Sequence, residues 1–164
     1  MRAFETKTFG AAPDAVAPDG TAVRLLAALS GGSFAHFELP AGGVSHAVVH
    51  RTVEEIWWFV AGRGELWRRT SEREEVVAVG PGVCATIPLG TRFQFRASPE
   101  APLAFVAVTM PPWPGEGEAE AVEGRWRPTV GLRPGLARAL LPAHARAVSH
   151  RRREPQWRAG LAQR

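Results

Sequence analysis

Residues 42–62 read GGVSHAVVHRTVEEIWWFVAG. The apolar and polar positions divide this run into a strand that ends at His50, a turn over residues 51–53, and a second strand from Glu54 to Val60 closed by Gly62. Side chains two apart on a strand share a face. His46, Val48 and His50 therefore point one way, and Glu55, Trp57 and Phe59 form a row on the partner strand. The hairpin brings an imidazole, a carboxylate and two aromatic rings into one space, which is the composition of a binding or catalytic site. A turn shorter by one residue would put Glu54 on that face and send Glu55 to solvent.

Strand signals continue on both sides of this hairpin. AVRLLAAL (22–29) and SFAHFELP (33–40) are joined by the turn signal Ser30-Gly31-Gly32. In the second of these His36 shares a face with Phe34, and packing at a sheet rim is the expected role. After Gly62, GELWRRT and EEVVAV flank a charged turn, GPGVCATIPLGTRFQFRA bends at Pro88-Leu89-Gly90, and APLAFVAVTM follows. Eight or more short strands punctuated by Gly and Pro, without a long amphipathic helix, predict an all-β fold, either a closed barrel or an antiparallel jelly roll.

The spacing of particular residues resembles the cupin family. Its first motif is matched by Gly42, His50, Glu55 and Gly62, and its second by Gly82, Pro88 and Gly90, with 19 residues between the two. The resemblance covers roughly residues 20–112 and implies a double-stranded β-helix, that is, an antiparallel jelly-roll barrel. It also implies a metal cage of three histidines and one glutamate. Here two of the three histidine positions are Val48 and Phe93, and the second motif's asparagine is Ala97.

That substitution sets the functional expectation. A closed or catalytic metal site needs about three protein donors, and only His50 and Glu55 remain, so no standard cofactor is expected. A divalent transition metal, if held, would rest on those two. His46 lies about 13 Å along the strand from His50, too far to share an ion with it. Cys84 has no positional reason to converge on the pair. The expected pocket is lined by His50, Glu55, Val48, Trp57, Phe59, Phe93 and Phe95, with Trp67 from the next strand, and suits a small, mainly hydrophobic ligand.

An enzyme acting on such a molecule is the alternative: Glu55 beside His50 would orient it as a general base for an isomerase, cyclase or lyase reaction, or the pair would form a partial metal site for a dioxygenase-type one. The His–Tyr pair of metal-free cupin epimerases cannot be transferred, because the chain has no tyrosine. A third reading makes the barrel a filled scaffold and the C-terminal tail the interacting part.

The net charge of +4 divides unevenly. Residues 125–164 hold ten arginines and one acid, or +9, which leaves ten basic and fifteen acidic residues, or −5, in residues 1–124. The chain therefore divides into a barrel (1–112, core 20–112), an acidic Pro/Gly linker or strap (113–124) with Trp113 as an anchor, and a basic tail (125–164) expected to be mobile or partly helical. Arg151–Arg153 concentrate positive charge, but no nucleic-acid-binding motif accompanies them. One cysteine, no leader-like N-terminus and no long apolar run lead to the expectation of a cytoplasmic protein with no membrane segment. The apolar strand over 22–29 is an edge that needs covering, and a homodimer is expected to cover it.

Overall fold

The computed structural model describes residues 4–131. Eleven strands form among them: β1 (Ala15–Val16), β2 (Ala22–Ala28), β3 (Ser33–Leu39), β4 (Val48–His50), β5 (Glu54–Ala61), β6 (Gly64–Arg69), β7 (Glu74–Val79), β8 (Cys84–Ile87), β9 (Arg92–Ala97), β10 (Leu103–Met110) and β11 (Ala119–Ala121). They build two antiparallel sheets in the orders β1-β2-β3-β10-β5-β8 and β11-β4-β9-β6-β7. Among the described residues no helix is long and apolar enough to cross a membrane.

The hairpin lies across both sheets. β4 belongs to one and β5 to the other, so the turn at residues 51–53 is a corner of the barrel and sets His50 opposite Glu55. Glu55, Trp57 and Phe59 are buried while Glu54, Ile56 and Trp58 are exposed, the alternation of a strand with one face on the core. Gly62 closes β5 with φ +70°, and a Cβ there would sit 2.0 Å from the Pro102 carbonyl oxygen. Only glycine fits that approach.

Residue size divides the interior into layers. Phe105 on β10 pairs with Phe37 on β3 and Phe59 on β5, and three large rings fill that level. One step along, Ala107 pairs with Ala35 and Trp57, and two methyl groups leave space beside the indole. The next level is polar, with Thr109 paired to Ser33 and Glu55. The first level is solid and bound by ring contacts, Trp57 stacking on Phe105 at 4.2 Å and meeting Phe95 edge-on at 5.3 Å. Above it the barrel is hollow.

The edge at β2 is covered by the chain's own N-terminal segment. β1 pairs with Ala22 and Val23, Arg24 donates to the carbonyls of Gly10 and Ala11, and the Leu25 amide donates to Asp14. The expectation that this edge needs a second chain therefore meets an intramolecular cover. His36 faces Arg24 across the strand pair and meets Phe9 edge-on at 4.7 Å, a packing position.

The boundary drawn at residue 125 falls inside a docked stretch. Trp126 donates its amide to the Gln94 side chain, Thr129 pairs with Val44, and the Trp126 ring lies under the Arg96 guanidinium at 4.6 Å. Apolar and amide contacts on the outer face of the second sheet hold these residues. The rest of the basic tail, 132–164, lies outside the described residues.

Candidate functional site

The hollow level is the inner part of a cavity of about 640 Å³ that extends outward along β2 and the N-terminal segment, past Leu25–Leu29 and Lys7. His50, Val48 and Phe93 line it from one sheet, Glu55, Trp57, Ala107 and Thr109 from the other, and Trp113 closes over it from the strap. Val48 and Phe93 are directly paired neighbours on β4 and β9. The His50 ring meets Phe93 edge-on at 5.1 Å and Trp113 at 5.3 Å.

Three expected lining residues lie elsewhere. Phe59 and Phe95 are wholly buried in the filled layers beneath the cavity, because the large rings around them leave no room. Trp67 pairs with Gln94, while its neighbour Leu66 pairs with the inward-facing Phe95. Trp67 therefore faces away from the cavity, where its indole N–H donates to Glu74 at 2.8 Å.

At the cavity's polar end, Nδ1 of His50 lies 4.0 Å from a carboxylate oxygen of Glu55. The same oxygen accepts a 2.7 Å hydrogen bond from the Trp57 indole. Burial pushes Glu55 up to about 8, with the charges of Asp19 and Glu118 adding to the shift and the Trp57 N–H opposing it. Burial also pushes His50 down to about 4, against the pull of Glu118. The separation is the outer limit of an ion pair, yet desolvation outweighs attraction for both partners. At neutral pH the contact is between a carboxylic acid and an uncharged imidazole, and Nδ1 has no hydrogen-bond partner among the described residues.

Two further carboxyl groups shape the site, and neither was singled out in the sequence. Glu118, in the strap, accepts from the amides of Thr52 and Val53 and from the Thr52 hydroxyl. Burial would raise it, but those hydrogen bonds prevail and hold it below the usual carboxylate range. Next to it, Ala119 pairs with His50, so the strap fixes both the turn and the imidazole. Asp19 accepts from the amide and hydroxyl of Thr21, and burial raises it. Glu118 is one of four glutamates in a Gly/Glu-rich run, and only the register of β11 on β4 distinguishes it from its neighbours.

The donor set does not fit the metal cage that the resemblance implies. The four corresponding positions do meet in space, but Val48 and Phe93 present hydrocarbon to the centre. Among the described residues no three His, Cys, Asp or Glu side chains come together as ligands. Cys84 is exposed and pairs with Trp58 on the outer face. His46 donates from Nε2 to the Val130 carbonyl at 2.8 Å.

No family model matches the sequence, and no curated protein matches it. Solved structures do. An uncharacterised conserved protein with a double-stranded β-helix domain from Klebsiella pneumoniae superposes with a TM-score of 0.54, at 18% identity over 68% of this chain and 93% of that one. The fold is the cupin double-stranded β-helix. The oxalate decarboxylase of Lactobacillus farciminis, in a formate complex, is similar to this cupin fold with a TM-score of 0.56 and 19% identity, over 63% of this chain and 32% of that one. The capsular polysaccharide assembling protein CapF of Staphylococcus aureus gives 0.56 and 14%, over 67% and 34%. This chain spans about a third of each of the last two proteins. At such identities the likeness is one of cupin architecture, and chemistry has to come from the residues.

Proposed function

We propose that this cupin-fold chain binds a small, mainly hydrophobic molecule in its half-filled barrel. The supporting observation is the cavity of about 640 Å³ walled by Trp57, Phe93, Trp113, Val48 and Ala107, with the Glu55–His50 pair at its polar end. Apolar walls supply affinity through the area they remove from water, and a few polar groups fix the ligand's orientation. Val48 and Phe93, standing where a cage would have histidines, extend the apolar wall. Thermal-shift measurements with 2-naphthol and similar flat molecules test this reading. Stabilisation of the wild-type protein that disappears in Ala107→Phe supports it, and no stabilisation by any of them contradicts it.

A second reading, that the cavity is catalytic, is favoured by the facing neutral acid and neutral base. Glu55 would give a proton to a ligand oxygen while His50 accepts one from carbon, an isomerisation that needs no cofactor. Exchange of solvent deuterium into a bound ketone, lost in His50→Ala, would support it. Ligand binding without exchange would leave binding alone.

A further inference from the structure

Glu55 and Asp19 line the cavity, and Glu118 beside it is, like Asp19, within electrostatic reach of Glu55; the three are buried, with 5%, 7% and 4% exposure for Glu55, Asp19 and Glu118. Among the described residues none of them has a lysine or arginine partner. Glu55 is met by an indole N–H, Asp19 by Thr21, and Glu118 by Thr52 and Val53. Buried acids ordinarily have a counter-charge. The described residues include ten arginines, yet none lines the cavity, and its one lysine, Lys7, is already paired with Asp14 at 3.5 Å.

A second observation also points to a missing partner. The His50 side chain is 6% exposed, and its Nδ1, facing Glu55, has no hydrogen-bond partner among the described residues. Around the pair stand the rings of Trp57, Phe93 and Trp113. Aromatic faces and carboxylates together hold an organic ammonium ion, whose charge is spread over its attached hydrogens and carbons. Without three converging ligands, the same walls offer a compact metal ion little.

We infer that the molecule bound in this cavity carries an amine, held as its ammonium ion between Glu55 and the Trp57, Phe93 and Trp113 rings. The inference rests on the ligand-binding reading above and adds the ligand's charge. An anion would meet carboxyl groups and a lysine already paired with Asp14, and a neutral molecule would bring Glu55 no counter-charge. Glu55 must be ionised to receive the ammonium, so binding near neutral pH releases a proton. The groups that bear on that ionisation are His50 on β4, Trp57 on β5, Asp19 in the β1–β2 turn and Glu118 in the strap.

Three near-isosteric probes test it: 2-phenylethylamine, 2-phenylethanol and phenylacetate, titrated calorimetrically into the full chain at pH 7 in two buffers of different ionisation enthalpy. The amine should bind at least tenfold more tightly than the alcohol, with proton release, and phenylacetate should not bind. Glu55→Gln, close in shape to the protonated acid and still able to accept from Trp57, should bring the amine to within about twofold of the alcohol. An alcohol that binds as tightly as the amine overturns the inference and leaves the ligand-binding reading intact. Failure of all three probes, with 2-naphthol also failing to stabilise the protein, overturns both. Saturable Zn²⁺ binding in the wild type that is lost in Glu55→Gln overturns the inference by placing a metal ion where the amine is expected.

Discussion

Trp57 donates its indole N–H to Glu55, two residues earlier on the same strand, and among the described residues no other side chain hydrogen-bonds to that carboxyl. It does not offset the loss of water. Glu55 therefore keeps its proton in the folded state up to about pH 8, and His50 stays uncharged down to about pH 4. These shifts give a pH signature. Glu55 is raised, so its contribution to stability is complete below its unfolded value of 4.5 and is lost as pH rises to about 8. His50 is lowered, so its contribution is present above 6.5 and is lost as pH falls to about 4. Between pH 4.5 and 6.5 the two slopes oppose each other. From pH 6.5 to 8 only Glu55 of the two acts, and it should lower stability by ~2 kcal/mol. Urea denaturation across that range checks this, and Glu55→Gln should flatten the profile.

Gln94 ties residues 125–131 to the barrel. Its buried amide donates to the carbonyls of Ser45 and Trp126 and accepts from the Trp126 amide. Gln94→Ala leaves those groups without partners and should cost ~2–3 kcal/mol. Limited proteolysis should then cut near Trp126 in the variant before any cut appears in the wild type.

Glu118 accepts three hydrogen bonds from the β4–β5 corner and lies next to the residue paired with His50. Glu118→Ala should cost ~2–3 kcal/mol in chemical denaturation. The His50 ring resonances should also shift, because the corner that positions the ring loses its brace.

Gly62 combines a positive φ with a close approach to the Pro102 carbonyl. Gly62→Ala should cost about 3 kcal/mol or more, from strain and overlap together. A melting temperature within a few degrees of wild type would show that the corner yields easily.

The part of this fold that was legible in the sequence is the part set by local chemistry. Period-two alternation from Glu54 to Phe59 identifies the inward row, and glycines at Gly42, Gly62, Gly82 and Gly90, all at positive φ, mark where strands stop. What was not legible depends on pairing between distant segments. Trp67 could face either way until its register with Gln94 was known. Phe59 and Phe95 read as cavity walls until Phe105 and Phe37 were seen to fill their layer. Glu118 lies 65 residues from Val53, which donates to it, and no periodicity reaches that far. The docking of residues 125–131 was hidden in the same way, since their composition reads as a charged tail while Trp126 and Thr129 find partners on β9 and the loop before β4.

Ligand binding requires above all a hollow that accepts an apolar molecule beside Glu55 and His50. Fluorescence titration of the neutral dye Nile red into wild type and Ala107→Phe tests this most directly, since the larger side chain should occupy the space beside Trp57. The wild type should show saturable one-to-one binding and quenching of tryptophan emission, and a folded variant should lose both. Equal binding by the two proteins, or no binding by either, would contradict it.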